Sequence, residues 1–311
     1  MPPAISTSWP DLLDPRIKKI FDDVYKQETD RIDALYSMKN GDEFPTKDTA
    51  RFSQAGTLGD VEEFTGTIKY DDAYEGYDTT LTHKEYAKGF SIERKLYDDD
   101  LFGIIDAKPQ GMARAYARTS QKHAAQTFVN SFSVDSTWQS GMDGVALVSD
   151  SHTTRAAGVS TTTGFDNRLT AAMSAVSVSA GRIQARKFRD DRGHPFEIDC
   201  TSLLYPIDLW ETAEEIIGSA GKLDTANNNI NALKGVMTSL IPGGWVRLTD
   251  TNDWWMVDES YMKQFLVWID RVQKEFAMVE EFDTLVSKYR LYGRYSLGYV
   301  DWRFILGFQV S

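Results

Sequence analysis

From residue 63 to residue 96 the chain reads "EFTGTIKYDDAYEGYDTTLTHKEYAKGFSIERKL". Phe64, Ile68 and Tyr70 share one parity, and Phe90 and Ile92 share another strand face. "DDAYEGY" between them reads as a turn, so the stretch is expected to form a long two-stranded ribbon that carries threonines and aromatics. Two strands alone are marginal in water, because neither face is covered. A ribbon of this length therefore has to dock on another surface, within its own chain or on another subunit.

The chain around it is long enough to need explaining as well. At 311 residues it exceeds what one compact core usually serves, so one large domain with extensions, or two lobes, is expected. In "DPRIKKIFDDVYKQ", Ile17, Ile20, Phe21 and Val24 fall on one helical face, with Asp14 placed to cap and Pro15 at the first helical position. Residues 39–60 are polar and turn-rich, so the first 60 or so residues read as an arm that must lie on something else. After the ribbon, Asp98, Asp99 and Asp100 precede a short helical segment. A longer helix is expected from about Pro109 to Phe132, with Met112, Tyr116, Ala124, Phe128 and Phe132 in steps of four. At 1.5 Å per residue it would span roughly 36 Å. A Gly- and Ser-rich stretch follows to residue 164. A further helix is expected over about 168–188, then a short apolar strand in "IDCTSLLY", a helix from Pro206, short strands near Val246 and Trp255, and a β-rich tail. The class is α+β, without the strand–helix alternation of a doubly wound sheet.

Composition limits what such a chain can bind. The net charge of −12 opposes any broad electrostatic attraction to nucleic acid, so such contact would need a local basic face. The single cysteine excludes an intrachain disulfide and fits a reducing compartment. No apolar run reaches membrane-spanning length, and the N-terminus lacks the basic and apolar regions of a signal peptide, so a soluble protein of the cytoplasm is expected.

The clustered carboxylates invite a catalytic or metal-binding reading. Adjacent helical residues diverge by about 100°, so Asp98, Asp99 and Asp100 cannot converge on one ion. Asp98 or Asp99 is instead expected to cap the following helix, the remaining charges favouring its positive end. No pair among the four histidines, His83, His123, His152 and His194, has metal-ligand spacing, and solvated or capping roles are expected for them. Cys200 sits in an apolar strand and reads as buried and inert. Trp245, Trp254, Trp255 and Trp268 read as core or subunit contact rather than a stacking platform. Phosphate loops, nucleophile elbows and dinucleotide fingerprints are absent from the sequence. No catalytic, cofactor-binding or metal residue is assigned, no cofactor is expected, and the chain is not read as an enzyme.

The basic residues are more telling. From Ala107 to Val134 there is no acidic residue, and Arg114, Arg118 and Lys122 recur every four positions, one stripe along a helix. A solvated face is the usual fate of such a stripe, yet like charges at this spacing disfavour a lone helix. Acidic segments of a neighbouring subunit, such as those with Glu62, Glu63, Asp71, Asp72 and Glu75, are the expected partners, ahead of DNA.

In this order, the segments resemble the major capsid proteins of tailed bacteriophages, with the Hong Kong 97-type fold, and most closely the Mu-like major head subunit group. The resemblance is carried by the ribbon-to-helix junction quoted above, by "ARTSQKHAAQTFVNSF" with "DGVALVSDSH", by "ARKFRDDRGHP" and "LLYPIDLWETAEEIIGS", and by "GRYSLGYVDWRFILG". It covers most of the chain from about residue 60. It implies an N-terminal arm (1–61), an extended loop (62–96), a peripheral domain (97–196) with its spine helix at 109–132, an axial domain (197–290) and a returning strand (291–311). It implies self-assembly as hexamers and pentamers of an icosahedral head shell around double-stranded DNA. A separate scaffolding protein and a portal protein are the implied partners, with a decoration protein left open by the sequence and with no membrane, in the virion after assembly in host cytoplasm. Subunit contacts are expected at Lys69, Tyr70, Asp71, Asp72, Glu75 and Lys84 of the loop and at Arg114, Arg118 and Lys122 of the helix. Two other readings stay open: an encapsulin-like compartment shell of the same fold, and a hydrolase using Asp98–Asp100 or Asp190–Asp191.

Overall fold

A computed structural model of the chain describes residues 10–28, 31–44, 48–68, 70–71, 74–99, 103–221, 230–281 and 283–311. Three sheets organise them. The first contains β1 (Ser37–Asn40), β4 (Lys84–Glu93), β10 (Leu266–Glu281) and β11 (Val286–Tyr299), in the order β1-β10-β11-β4. The second contains β2 (Thr49–Ala55), β3 (Glu75–Thr82) and β5 (Gln139–Gly141), in the order β2-β3-β5. The third contains β6 (Arg168–Leu169), β7 (Ser202–Leu204), β8 (Thr238–Ser239), β9 (Trp254–Val257) and β12 (Ile305–Phe308), in the order β6-β12-β9-β7-β8.

The ribbon expected at 62–96 is not formed as such. β3 and β4 flank a single residue, His83, and a one-residue link cannot reverse the chain as a hairpin loop of two or more residues does. The chain therefore runs on from one sheet into another. β3 pairs antiparallel with β2, and β4 pairs antiparallel with β11 from Glu93↔Val286 to Lys84↔Tyr295. The long ribbon of this molecule is the β10–β11 hairpin, registered from Leu266↔Tyr299 to Glu281↔Val286, with β4 as its third strand. Residues 266–281, which the resemblance implied to be part of the axial domain, belong to the sheet that contains β4. Residues 56–68, 70–71 and 74 form neither helix nor strand.

Two helices cover the hairpin sheet. α1 (Pro10–Gln27) lies on α4 (Ile104–Val129), and Ile17 and Phe21 of α1 are buried against Ile105, Met112 and Ala113 of α4 and Ile92, Tyr289 and Leu291 of the sheet. The short α2 (Ile32–Leu35) follows α1, and α3 (Arg94–Asp98) follows β4 directly. α4 has 26 residues, a rod of about 39 Å, and starts five residues earlier than expected. Pro109 lies inside it, buried in its second turn, where the missing N–H removes one bond to the carbonyl four residues back.

The expected cap at Asp98 and Asp99 is corrected by this arrangement. The N-cap of α4 is Gly103, left-handed at φ 66°, and no side chain caps it. Asp98 is the last residue of α3 and Asp99 its C-cap, several residues upstream. The side chain of Asp98, and all of Asp100, lie outside the described residues.

The C-terminal half of α4 enters the main core. Ala124, Ala125 and Phe128 join the third sheet and the helices α5 (Ala175–Ala185), α6 (Trp210–Gly218) and α7 (Glu259–Phe265) in one buried cluster. Trp254 stacks on Phe308 with ring centroids 3.6 Å apart. α5 is shorter than the helix expected at 168–188. Residues 168–169 pair as β6, and Ser174 begins the helix through a reciprocal capping box with Ser177.

Candidate assembly surfaces

Exposed apolar side chains concentrate on residues 56–74. Leu58, Val61, Phe64, Ile68 and Tyr70 are all exposed, Phe64 at 71% and Tyr70 at 88%. Five large apolar groups in water along one segment is the arrangement expected of a binding surface, since single exposed residues are common but contiguous ones are not. The segment is anchored to its own subunit at its root. Asp71 accepts from the Gly59 N–H at 2.6 Å and lies 3.4 Å from an Arg192 nitrogen. Asp71 is thus bound within its own chain. Lys69 and Asp72 lie outside the described residues. Glu75 is exposed at the start of β3. Lys84 sits over the Trp138 ring at 5.0 Å, a cation–π contact inside the subunit.

The basic stripe is on the surface. Arg114, Arg118 and Lys122 are exposed along α4, while Ala113, Ala117, Ser120 and Ala124 on the opposite side are buried. Arg114 reaches Glu28 after α1 at 3.5 Å, so one end of the stripe already meets an acidic group of the same chain.

The titratable groups serve the interior. Asp190 accepts from the backbone N–H of Arg192 and of His194, shaping a turn. Asp191 pairs with Arg303 at 2.9 Å. Arg182 chiefly, with Arg186 beside it, holds the Asp199 carboxyl down at about 2. Cys200 is buried, as expected, and burial raises its thiol. Trp245, Trp254, Trp255 and Trp268 are all core residues, also as expected. Among the described residues no three His, Cys, Asp or Glu side chains group as a metal site.

The histidines depart from expectation, because three of them are tied into the interior. His83 is buried with Nδ1 2.9 Å from Ser296 Oγ, and burial, then Arg294 and Arg271, lower its pKa. His123 lies among Tyr86, Trp138 and Tyr295, with Nδ1 2.7 Å from the Tyr295 hydroxyl. Burial, then the charges of Lys122 and Lys84, push its pKa down to about 4. His152 is buried between Asp143 Oδ2 at 2.7 Å and Asn167 Oδ1 at 3.2 Å, and stacks on Trp302 at 4.1 Å. Asn167 donates to the carbonyls of Leu147 and Ile305, which fastens the Gly- and Ser-rich stretch to β12. Asp143, the carboxylate that meets the His152 ring, lies nine positions away in the sequence.

A family model described as phage capsid protein matches residues 76–307. The chain belongs to the phage capsid protein family. No curated protein sequence matches it. Among solved structures, the procapsid of bacteriophage JBD30 is similar at a TM-score of 0.52 and 13% identity, covering 98% of this chain and 76% of that one. The capsid asymmetric unit of cyanophage Pam1 gives 0.55 at 9% identity, with 90% and 92% covered. The mature capsid of bacteriophage PhiM1 gives 0.54 at 7%, with 91% and 88% covered. This phage capsid protein is a shell-forming major capsid subunit with the Hong Kong 97-type α+β fold, and a component of the virion. The findings favour neither the compartment shell nor the hydrolase, and the family is a structural one. No helix of the described residues is long and apolar enough to cross a membrane.

Proposed function

We propose that copies of this capsid protein associate as hexamers and pentamers of an icosahedral head, with residues 56–74 laid over a neighbouring copy and packaged DNA inside. The observation that carries this is the exposed apolar series Leu58, Val61, Phe64, Ile68 and Tyr70 on a segment outside every sheet. These exposed side chains contribute little buried area to their own subunit, and burying them on a second copy gives the apolar contribution that holds copies together. The axial domain then corresponds to about 197–265, and the β10–β11 hairpin with α4 forms the peripheral domain.

The stripe of Arg118 and Lys122, extended by Arg114, adds electrostatic register to that contact. Surface charges of this kind act more on encounter and orientation than on affinity. Assembly in host cytoplasm, on a separate scaffolding protein and around a portal, completes the reading. Co-expression with a scaffolding protein tests it by negative-stain microscopy. Arg114, Arg118 and Lys122 changed together to Glu should give folded subunits and no closed shells. Normal shells from that variant at moderate salt would reduce the stripe to a solvated face.

A further inference from the structure

The exposed segment leaves and rejoins the subunit at one point. Gly56 N–H donates to the Tyr74 carbonyl at 3.0 Å. The Tyr74 ring lies directly on Gly56, where an added Cβ would come within 2.4 Å of a ring carbon. Arg192 stands between the two legs. Its Nε donates to the Thr57 carbonyl on the outgoing leg at 2.6 Å. Its Nη1 lies 3.4 Å from Asp71 Oδ2 on the returning leg, and its guanidinium lies 5.6 Å from the Tyr74 ring centroid. Asp71 closes the arrangement by accepting from Gly59 N–H on the first leg.

The turn that carries Arg192 is itself tied to the core. Asp190 Oδ1 accepts from the N–H groups of Arg192 and His194 at 2.9 and 2.8 Å. Next to it, Asp191 pairs with Arg303, a buried residue that also binds Asp301 at 2.6 Å and the Arg189 carbonyl at 2.7 Å. A continuous set of bonds therefore runs from the turn before β12 to both legs of the segment. A guanidinium suits this place. Its planar fork can bond a carbonyl and a carboxylate at once and still present its face to a ring, which an ammonium cannot do.

We propose that Arg192 is a positioning residue that fixes the direction in which residues 56–74 leave the subunit, and hence the angle at which one copy meets the next. This rests on the reading of that segment as an inter-subunit contact. The described residues of the segment form no sheet or helix to hold its course, so its direction is set at the root.

The test uses the unassembled full chain with spin labels on Thr67→Cys and Ser179→Cys, the native Cys200 being buried. Pulsed dipolar spectroscopy should give one narrow distance distribution. Arg192→Ala should broaden it without lowering the melting temperature, and Arg192→Lys should broaden it less. An unchanged distribution in Arg192→Ala overturns the proposal. Should that variant fail to fold, Arg192→Lys decides in the same way, broadening supporting the proposal and the wild-type distribution overturning it. The same variants, without labels, are then co-expressed with a scaffolding protein and imaged. Lost or misshapen shells support the link to assembly. Broadening accompanied by normal shells overturns that link, and with it the inter-subunit reading of the segment, while leaving the fixed direction in the free subunit established.

Discussion

The third sheet and the segment at 56–74 both carry large apolar side chains and treat them in opposite ways. Trp254 is fully buried and stacks on Phe308, whereas Phe64 is 71% exposed. Burial of an aromatic side chain in the sheet stabilises one subunit, by about 1.5–3 kcal/mol for a residue of this size. The same chemistry on the segment stays exposed in the free subunit, and on the proposed reading it is left for use between subunits. On that reading the apolar surface that folds the subunit is separate from the apolar surface proposed to assemble it, and substitutions in the two regions should be distinguishable.

The largest effect is expected in the sheet. Trp255 is buried against Phe128 and Phe132, and its indole N–H donates to Ser131 Oγ at 3.0 Å. Trp255→Ala should cost about 3–5 kcal/mol in urea unfolding of the subunit, and assembly should fail because the subunit fails. A cost within experimental error would show that the third sheet is not the folding core.

Acid should weaken the same interior through His123. Its folded pKa, at about 4, lies below the ordinary imidazole value of 6.5. The unfolded chain therefore binds the proton first as pH falls. The stability contributed by the neutral, half-buried ring is intact above about pH 6.5 and is lost progressively toward about pH 4. His123→Phe should flatten the dependence of melting temperature on pH in this window. An unchanged slope would assign the acid sensitivity to other groups.

These interior contacts also show what sequence can convey. Helical periodicity located α4, because its buried positions recur along one face over many turns. Strand parity located β4, with Phe90 and Ile92, but parity contains no record of a partner. β4 pairs with β11, some 200 positions away, and β3 pairs with β2, a segment that reads as polar and turn-rich. β10 escaped notice because register shifts between Asp270 and Val272, and between Val272 and Glu275, interrupt its alternation. The aspartate run resembled a cap by composition, whereas Gly103 makes the turn into α4 by a backbone conformation that favours glycine. The exposed segment was legible as a surface that needs a partner, from Phe64, Ile68 and Tyr70. Its root was not, because Arg192, Asp71 and Tyr74 meet only in three dimensions.

A smaller effect separates a buried hydrogen bond from buried area. Tyr36 donates its hydroxyl to the Ala124 carbonyl at 2.7 Å, with Thr127 Oγ1 at 2.9 Å. Tyr36→Phe keeps the ring and leaves both groups short of a partner, so a loss of about 1–2 kcal/mol is expected in chemical denaturation. A neutral result would mean that water replaces the hydroxyl. The smallest effect on the subunit is expected on the segment. Phe64→Ser should change subunit stability by less than about 0.5 kcal/mol, the range of exposed substitutions. A larger loss in thermal melts of the free subunit would place Phe64 in the folding core.

The separation of the two surfaces is tested most directly by removing one of them. Residues 58–71 are replaced by a short Gly-Ser turn, which spares β2, β3 and the Tyr74 ring, and the variant is co-expressed with a scaffolding protein and imaged by electron microscopy. The account predicts a cooperatively melting subunit with a near wild-type midpoint that forms no closed shells, beside closed shells from the intact chain. A variant that assembles normally, or one that no longer folds, would contradict it.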